Sequence, residues 1–272
     1  MKSNLNQSSL TSIIILTHNG LSFTRKCISS IFEHTPEPIE LIIVDNTSTD
    51  GTIPYLKTLS NTAVIANKEN KGFPAGCNQG LKIAKGENIV LLNNDTVVTN
   101  EWLKRLLWCL DNQPQAGIAG PRSNLVLPHQ AVRSASYKTL DQMHDFAHSL
   151  SGKYDQQGNQ ADHISGLCMV FKKSLADAIG GLDERFSPGY YEDTDFSLRA
   201  QIYGKKLWVA NDVFIHHYGN SSFKTNRVMQ IKTVKSSEKK FFNKWNMKDL
   251  SQIADIVEKE KPFKLERHYV PF

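Results

Sequence analysis

Short apolar runs that stop abruptly at polar clusters, each followed by a helix-period stretch, dominate the first third of the chain. SIIIL (12–16) ends at Thr17-His18-Asn19-Gly20, IELIIV (39–44) at DNTSTDGT, AVIA (63–66) at NKENKGFPAG, and IVLL (89–92) at Asn93-Asn94-Asp95. Unbroken β-branched runs of this length suit strands buried on both faces, as in a parallel sheet. Between the first two, LSFTRKCISSIFEH sets Leu21, Thr24, Cys27, Ile28, Ile31 and Phe32 at helical spacing, and Pro36 and Pro38 end it. Further helices are expected near 52–60, over about 75–85 and over about 100–111. Such alternation closes into right-handed βαβ units on a parallel sheet, whose ligands bind at the carboxyl ends of the strands. THN (17–19), DNTSTD (45–50) and NND (93–95) should therefore converge on one rim.

Beyond residue 120 the pattern weakens. Residues 121–160 read as irregular and polar, with Pro121 and Pro128. A strand is expected at 167–172, a helix from Ser174 to Ile179, and another in YYEDTDFSLRAQIYG, packed by one side through Phe196, Leu198, Ile202 and Tyr203. KLWVANDVFIHHYG reads as one or two strands, and VMQIKTVKSSEKKFFNKW as a helix. At 272 residues, 40% hydrophobic and 22% charged, the chain has ordinary globular composition. No apolar stretch approaches the roughly 18–20 residues that span a bilayer. The polar start MKSNLNQSSLTS lacks the apolar core of a secretory signal, so a cytoplasmic protein is expected. Cys27, Cys77, Cys109 and Cys168 are scattered, which reads as reduced buried thiols. The net charge of +5 is uneven: residues 223–272 hold 12 Lys+Arg against 6 Asp+Glu. That basic tail suits a solvated helix face, an anionic membrane face, or a contact with a second copy.

Each polar cluster admits a chemical and a structural reading. Asp45 at a strand tip could accept hydrogen bonds from a base imide or ribose, or cap the next helix. Asn93-Asn94-Asp95 offers oxygen ligands suited to Mg²⁺ or Mn²⁺ on a diphosphate, or a turn. His216-His217 could complete a metal shell, or divide between sheet and surface. Glu192, Asp193 and Asp195 open a helix, where carboxylates suit the dipole; their mutual repulsion raises the pKa of at least one, as a general base requires. The chain has no G-x-x-x-x-G-K-[ST], no G-x-G-x-x-G and no G-x-S-x-G.

Taken together, SIIILTHN, ELIIVDNTSTDGT, NKGFPAGCNQG, LLNNDTVV, GGLDERF, YYEDTDFSLRA and VFIHHYGNSSF resemble a bacterial family 2 glycosyltransferase, an inverting enzyme of the GT-A fold. The resemblance runs from about Ser12 to about Ser222. It implies a Rossmann-like, mostly parallel central sheet flanked by helices, with a helical C-terminal tail. It also implies a glycosyltransferase domain over 1–222, its nucleotide-binding half about 12–120 and its acceptor half about 121–222, then a basic extension over 223–272. By the same resemblance Thr17, Asn19, Asp45, Asn70, Lys71, Gly72, Asn78 and Asn94 would hold a uracil or thymine nucleotide. Asp95 would bind a divalent cation, Mn²⁺ or Mg²⁺, with His216 matching the further ligand best and His217 second. Gly166, Asp183 and Glu184 would line the sugar and acceptor pocket. Asp193 would be the base, with Glu192 beside it. Asn93 departs from the family's pattern, which has an acid there.

The implied reaction is single displacement from a UDP- or dTDP-sugar onto a hydroxyl of a glycan, a lipid-linked saccharide or a protein. A nucleic-acid partner is not expected. The rival reading is a non-catalytic nucleotide-sugar-binding module on the same fold, which Asn93 keeps open.

Overall fold

The computed structural model describes residues 9–219 and 227–272. Each apolar run forms a strand: β1 (Thr11–Thr17), β2 (Ile39–Asp45), β3 (Thr62–Ala66) and β4 (Asn88–Asn93), joined through α1 (Leu21–His34), α2 (Thr52–Leu56) and α3 (Phe73–Ile83). They lie parallel in the order β3-β2-β1-β4. Thr17 pairs with Asp45, and Leu16 with Asn93, so the three polar clusters end at one level of the sheet.

Alternation along β1 feeds two cores. Ile13 and Ile15 join Cys27, Ile28 and Ile31 of α1 on one face, while Ile14 joins Cys77 and Leu81 of α3 on the other. Gly76 and Gly80 let α3 lie close to β1. A Cβ at Gly76 would sit 2.2 Å from Leu16 Cδ1, and one at Gly80 would sit 2.4 Å from Ile14 Cγ2.

The rest of the chain builds β5 (Thr96–Val97), α4 (Trp102–Asn112), β6 (Ala116–Ser123), α5 (Leu140–Lys153), β7 (Gly158–Ala161), β8 (Cys168–Lys172), α6 (Lys173–Ile179), α7 (Glu192–Ile202) and β9 (Lys206–His217). They extend the sheet as β4-β8-β6-β9-β5, with β7 also on β9. β9 runs parallel to β6, whereas β8, β5 and β7 pair antiparallel. Parallel character is therefore concentrated in β1 to β4, where the helical crossovers through α1 and α2 join neighbouring strands and α3 carries the chain back past β2 and β1 to β4.

Residues 121–160, expected to be irregular, carry the end of β6, all of α5 and most of β7. In α5 only Met143, Ala147 and Leu150 are buried, against Phe214, so the apolar stripe is thin. Thr139 caps it by accepting from the Gln142 N–H. KLWVANDVFIHH forms one strand.

After residue 226 come α8 (Arg227–Trp245), α9 (Ile253–Glu260) and α10 (Leu265–His268). Phe241, Trp245, Ile253, Ile256 and Val257 pack with Phe186, Leu198 and Ile202 into a further core beside α7. The 222/223 domain boundary and Asn220-Ser221-Ser222-Phe223 of the last family motif lie outside the described residues. Among the described residues no helix is long and apolar enough to cross a membrane. The four cysteines are free and buried, and burial pushes the Cys27 and Cys109 thiols up to about 12.

Candidate active site

The ends of β1 and β2 are locked together through short polar side chains. The Asn19 N–H donates to Ser48 Oγ at 2.7 Å, and Asn19 Oδ1 accepts from the Thr49 N–H at 2.8 Å. Asn19 and Thr47 hold left-handed backbone, φ 59° and 66°. Asp45 is buried; its Oδ1 accepts from the Ser48 N–H at 2.8 Å, while Oδ2 has no hydrogen-bond partner. A buried acceptor left unsatisfied costs about 1–3 kcal/mol, so its natural complement is an incoming N–H or O–H.

Asn46, which sequence reasoning passed over, organises the next loop. Its Nδ2 donates to Asn70 Oδ1 and to the Gly72 carbonyl, and its Oδ1 accepts from Asn67 Nδ2. Asn70 Oδ1 also accepts from the Gly72 N–H. Gly72 has φ 81°, and a Cβ there would sit 2.7 Å from Ser187 Oγ. Lys71 is exposed. Asn78, expected at the nucleotide, instead spends its amide on the 182–184 turn. Its Oδ1 accepts from the Leu182 N–H at 2.8 Å, and its Nδ2 donates to the Leu182 carbonyl and to Glu184 Oε1.

At the tip of β4 the side chains diverge. Asn94 turns inward and donates to Thr24 Oγ1 at 2.9 Å and to Thr17 Oγ1 at 3.3 Å. Asp95 is buried, and its Oδ1 lies 3.2 Å from His217 Nε2. The other His217 nitrogen, Nδ1, meets the Leu125 carbonyl at 2.7 Å. A carbonyl only accepts, so Nδ1 donates; Nε2 then meets the carboxylate oxygen as a donor if the ring is an imidazolium, or with its lone pair if it is neutral. Two acceptors facing each other at that distance require a proton or a cation between them.

His216 points elsewhere: its Nδ1 bonds the Tyr137 hydroxyl at 2.6 Å and its ring stands edge-on to Tyr218. Burial, with His217 nearby, lowers its pKa. Of the two histidines, the structure therefore brings His217, not His216, to Asp95. Adjacent residues of a strand face opposite sides, and the Thr96–His217 register decides which one meets Asp95. One carboxylate oxygen and one imidazole nitrogen suit Mn²⁺ or Mg²⁺ when diphosphate and water oxygens complete the shell. Among the described residues no group of three His, Cys, Asp or Glu gathers to hold a metal alone.

The acidic cluster separates into three roles. Asp193 is half-buried; its Oδ2 accepts from the Gly166 N–H at 2.8 Å and its Oδ1 from the Thr194 N–H at 2.7 Å. Glu192 is buried with Oε2 unpartnered, and burial, reinforced by the neighbouring Asp193 charge, raises its pKa well above the carboxylate range. Asp195 is fully buried and ion-paired to Arg199 Nε at 2.8 Å and to Lys244.

Asp183, expected at the sugar, is saturated by Arg185 and by Lys244 at 2.7 Å, and these partners outweigh burial and hold its carboxyl well below the usual range. Glu184 is exposed. Gln130, which belongs to no recognisable motif, is fully buried and accepts from the Ser165 N–H, one residue before Gly166.

Residues 12–180 match the model of glycosyl transferase family 2. An uncharacterized glycosyltransferase of Haemophilus influenzae is 26% identical over 137 residues, 48% of this chain and 42% of that protein. The chain thus spans less than half the length of that relative. Two solved structures share the architecture at TM-score 0.62. They are the mannosyltransferase PcManGT from Pyrobaculum calidifontis with GDP-Man and Mn²⁺ (17% identity, 94% of this chain, 70% of that one) and GalNAc-T7 with UDP, GalNAc and Mn²⁺ (15% identity, 93% and 54%). The GT-A fold is thereby established. With the family model matched over well more than half its length, the chain belongs to glycosyl transferase family 2.

Proposed function

We propose that this protein transfers a sugar from a UDP- or dTDP-linked donor to an acceptor hydroxyl, inverting the anomeric carbon in one displacement. The observation that carries the reading is the Asp95–His217 pair, at the tip of β4 on the sheet level where Asp45 also ends. Asp95 and His217 would hold a divalent cation, which would supply charge neutralisation for the leaving diphosphate. Asp45 Oδ2 is the acceptor offered to the base imide. Asp193 takes the proton of the attacking hydroxyl, its two oxygens oriented by the Gly166 and Thr194 N–H groups. One carboxylate would suffice, because a diphosphate held by a cation would leave without protonation, unlike the leaving group of a glycoside hydrolase. The two solved neighbours, one with GDP-Man and one with UDP, each with Mn²⁺, support a nucleotide diphosphate and a cation. Glycan, lipid-linked and protein acceptors all fit this chemistry. The exposed lysines of α8 (Lys232, Lys235, Lys239, Lys240) would face an anionic membrane carrying the acceptor.

Calorimetric titration with UDP, dTDP and GDP, in Mn²⁺ and in EDTA, tests the reading. UDP or dTDP should bind in Mn²⁺, and affinity should fall at least about tenfold in EDTA, in Asp95→Ala and in His217→Ala, but stay within about threefold in His216→Ala. UDP binding untouched by EDTA would move the diphosphate to basic side chains such as Lys71 and overturn the metal reading.

A further inference from the structure

The turn leading into α7 is strained. Tyr190 and Tyr191 both hold positive φ, 70° and 71°, a state rarely tolerated by side chains of this size. No side chain of the residue preceding α7 caps its first turn. What meets this turn is α8. Gln230 Nε2 donates to the Tyr190 hydroxyl at 2.9 Å, the Tyr191 hydroxyl donates to Glu238 at 3.0 Å, and Ser237 Oγ donates to the Gly189 carbonyl at 2.8 Å. Burial and the Glu238 carboxylate push the Tyr191 hydroxyl up to about 12, so it stays a donor.

Farther along α8, Lys244 Nζ lies 2.5 Å from Asp195 Oδ1 and 2.7 Å from Asp183 Oδ2. The Trp245 indole N–H donates to Asp195 at 2.9 Å, and Arg199, also on Asp195, donates to the carbonyls of Ile179 and Gly181. One buried ammonium thus ties α8, α7 and the turn at Asp183 together. Asp195 lies two residues from Asp193, so a shift of the helix start moves both.

We propose that α8 is the brace that places the base: Lys244, through Asp195 and Asp183, and Glu238, through Tyr191, are positioning residues for Asp193. This rests on the reading of Asp193 as base. The nucleotide rim is built on β1, β2 and β4, none of which α8 anchors through these bonds. The Asn70–Gly72 loop does touch the turn, where Ser187 Oγ donates to the Lys71 carbonyl at 3.2 Å and the Phe73 N–H to the Pro188 carbonyl at 2.9 Å, but neither Lys244 nor Tyr191 makes those contacts. Losing the brace should therefore impair transfer and leave nucleotide binding intact. A misplacement of about 1 Å in a reacting group can cost about 100-fold.

The test uses the full chain with UDP-glucose, UDP-N-acetylglucosamine and dTDP-rhamnose as donors, following nucleotide release, alongside UDP affinity by calorimetry in Mn²⁺. Lys244→Met should lower turnover about 10- to 100-fold with UDP affinity within about twofold, and Lys244→Arg should recover most of it. Tyr191→Phe, which removes one hydroxyl and keeps the ring packing, should lower turnover about threefold or more. Wild-type turnover in Lys244→Met overturns the brace, as does a parallel loss of turnover and UDP affinity without rescue by arginine. If Lys244→Met does not fold, wild-type turnover in Tyr191→Phe overturns it. Asp193→Asn separates the two claims: full turnover there sinks the base itself. Its loss beside unaffected brace variants sinks only the brace.

Discussion

Glu192 and Asp193 are neighbours in sequence that the fold treats in opposite ways. Asp193 receives two backbone N–H groups; Glu192 is buried with an oxygen that receives none. The raised pKa of Glu192 means that the folded state binds its proton more tightly than the unfolded chain does. Its contribution to stability is fully present below the unfolded value of about 4.3 and is lost as pH rises through the folded value. Glu192→Gln should therefore be more stable than the wild type by a margin that grows from pH 5 to pH 8 in thermal unfolding. A margin independent of pH would refute this. That one carboxylate of the cluster must be raised was legible in the sequence. Which one was not, because it depends on what α7 packs against. The same holds for His216 and His217, adjacent letters that the β5–β9 register sends to opposite faces.

Among elements, α3 shows how spacing carries packing information. Its glycines recur at i and i+4, so one side of the helix is backbone only and lies close to β1. At Gly80 the obstructing atom is the Cγ2 of Ile14, a β-branched buried side chain that cannot swing away. For Gly80→Ala the overpacking cost of about 1–3 kcal/mol is set against the about 1 kcal/mol that alanine gains in helix propensity, so urea unfolding should show a net loss of up to about 2 kcal/mol. Gly76→Ala, which meets the mobile end of Leu16, should cost less. If the two variants match, the close contact does not govern. The strands β1, β2 and β4 were readable because continuous apolar runs signal burial on both faces, while β3, at the sheet edge with no fully buried residue, was readable only as a short apolar run. α5 was not, since three buried residues among polar neighbours leave almost no periodic signal.

For the whole molecule, the sheet's first half was legible in its pairing, whereas in the second β8 and β9 were readable as strands but not their partners, nor β5, β6 and β7. Antiparallel pairing of β8 between β4 and β6 joins strands far apart in sequence, and no local pattern announces the partner. The tail was legible as a basic helix, but its buried side, with Ser237, Phe241 and Trp245, emerges only against α7. Its outer lysines carry the membrane proposal. Vesicles of phosphatidylglycerol should sediment the protein better than phosphatidylcholine vesicles, and Lys232→Glu, Lys235→Glu and Lys239→Glu together should weaken that about tenfold or more. Equal sedimentation with both lipids would end the proposal.

The late position of α8 also orders how the site comes into being. A ribosome making this chain releases the Asp45 rim as soon as β4 has emerged. The partner of Asp95 waits for β9, and the splint on α7 follows last. In chain order the Asp45 rim thus comes first, Asp193 next, His217 after it, and the splint that steadies α7 last.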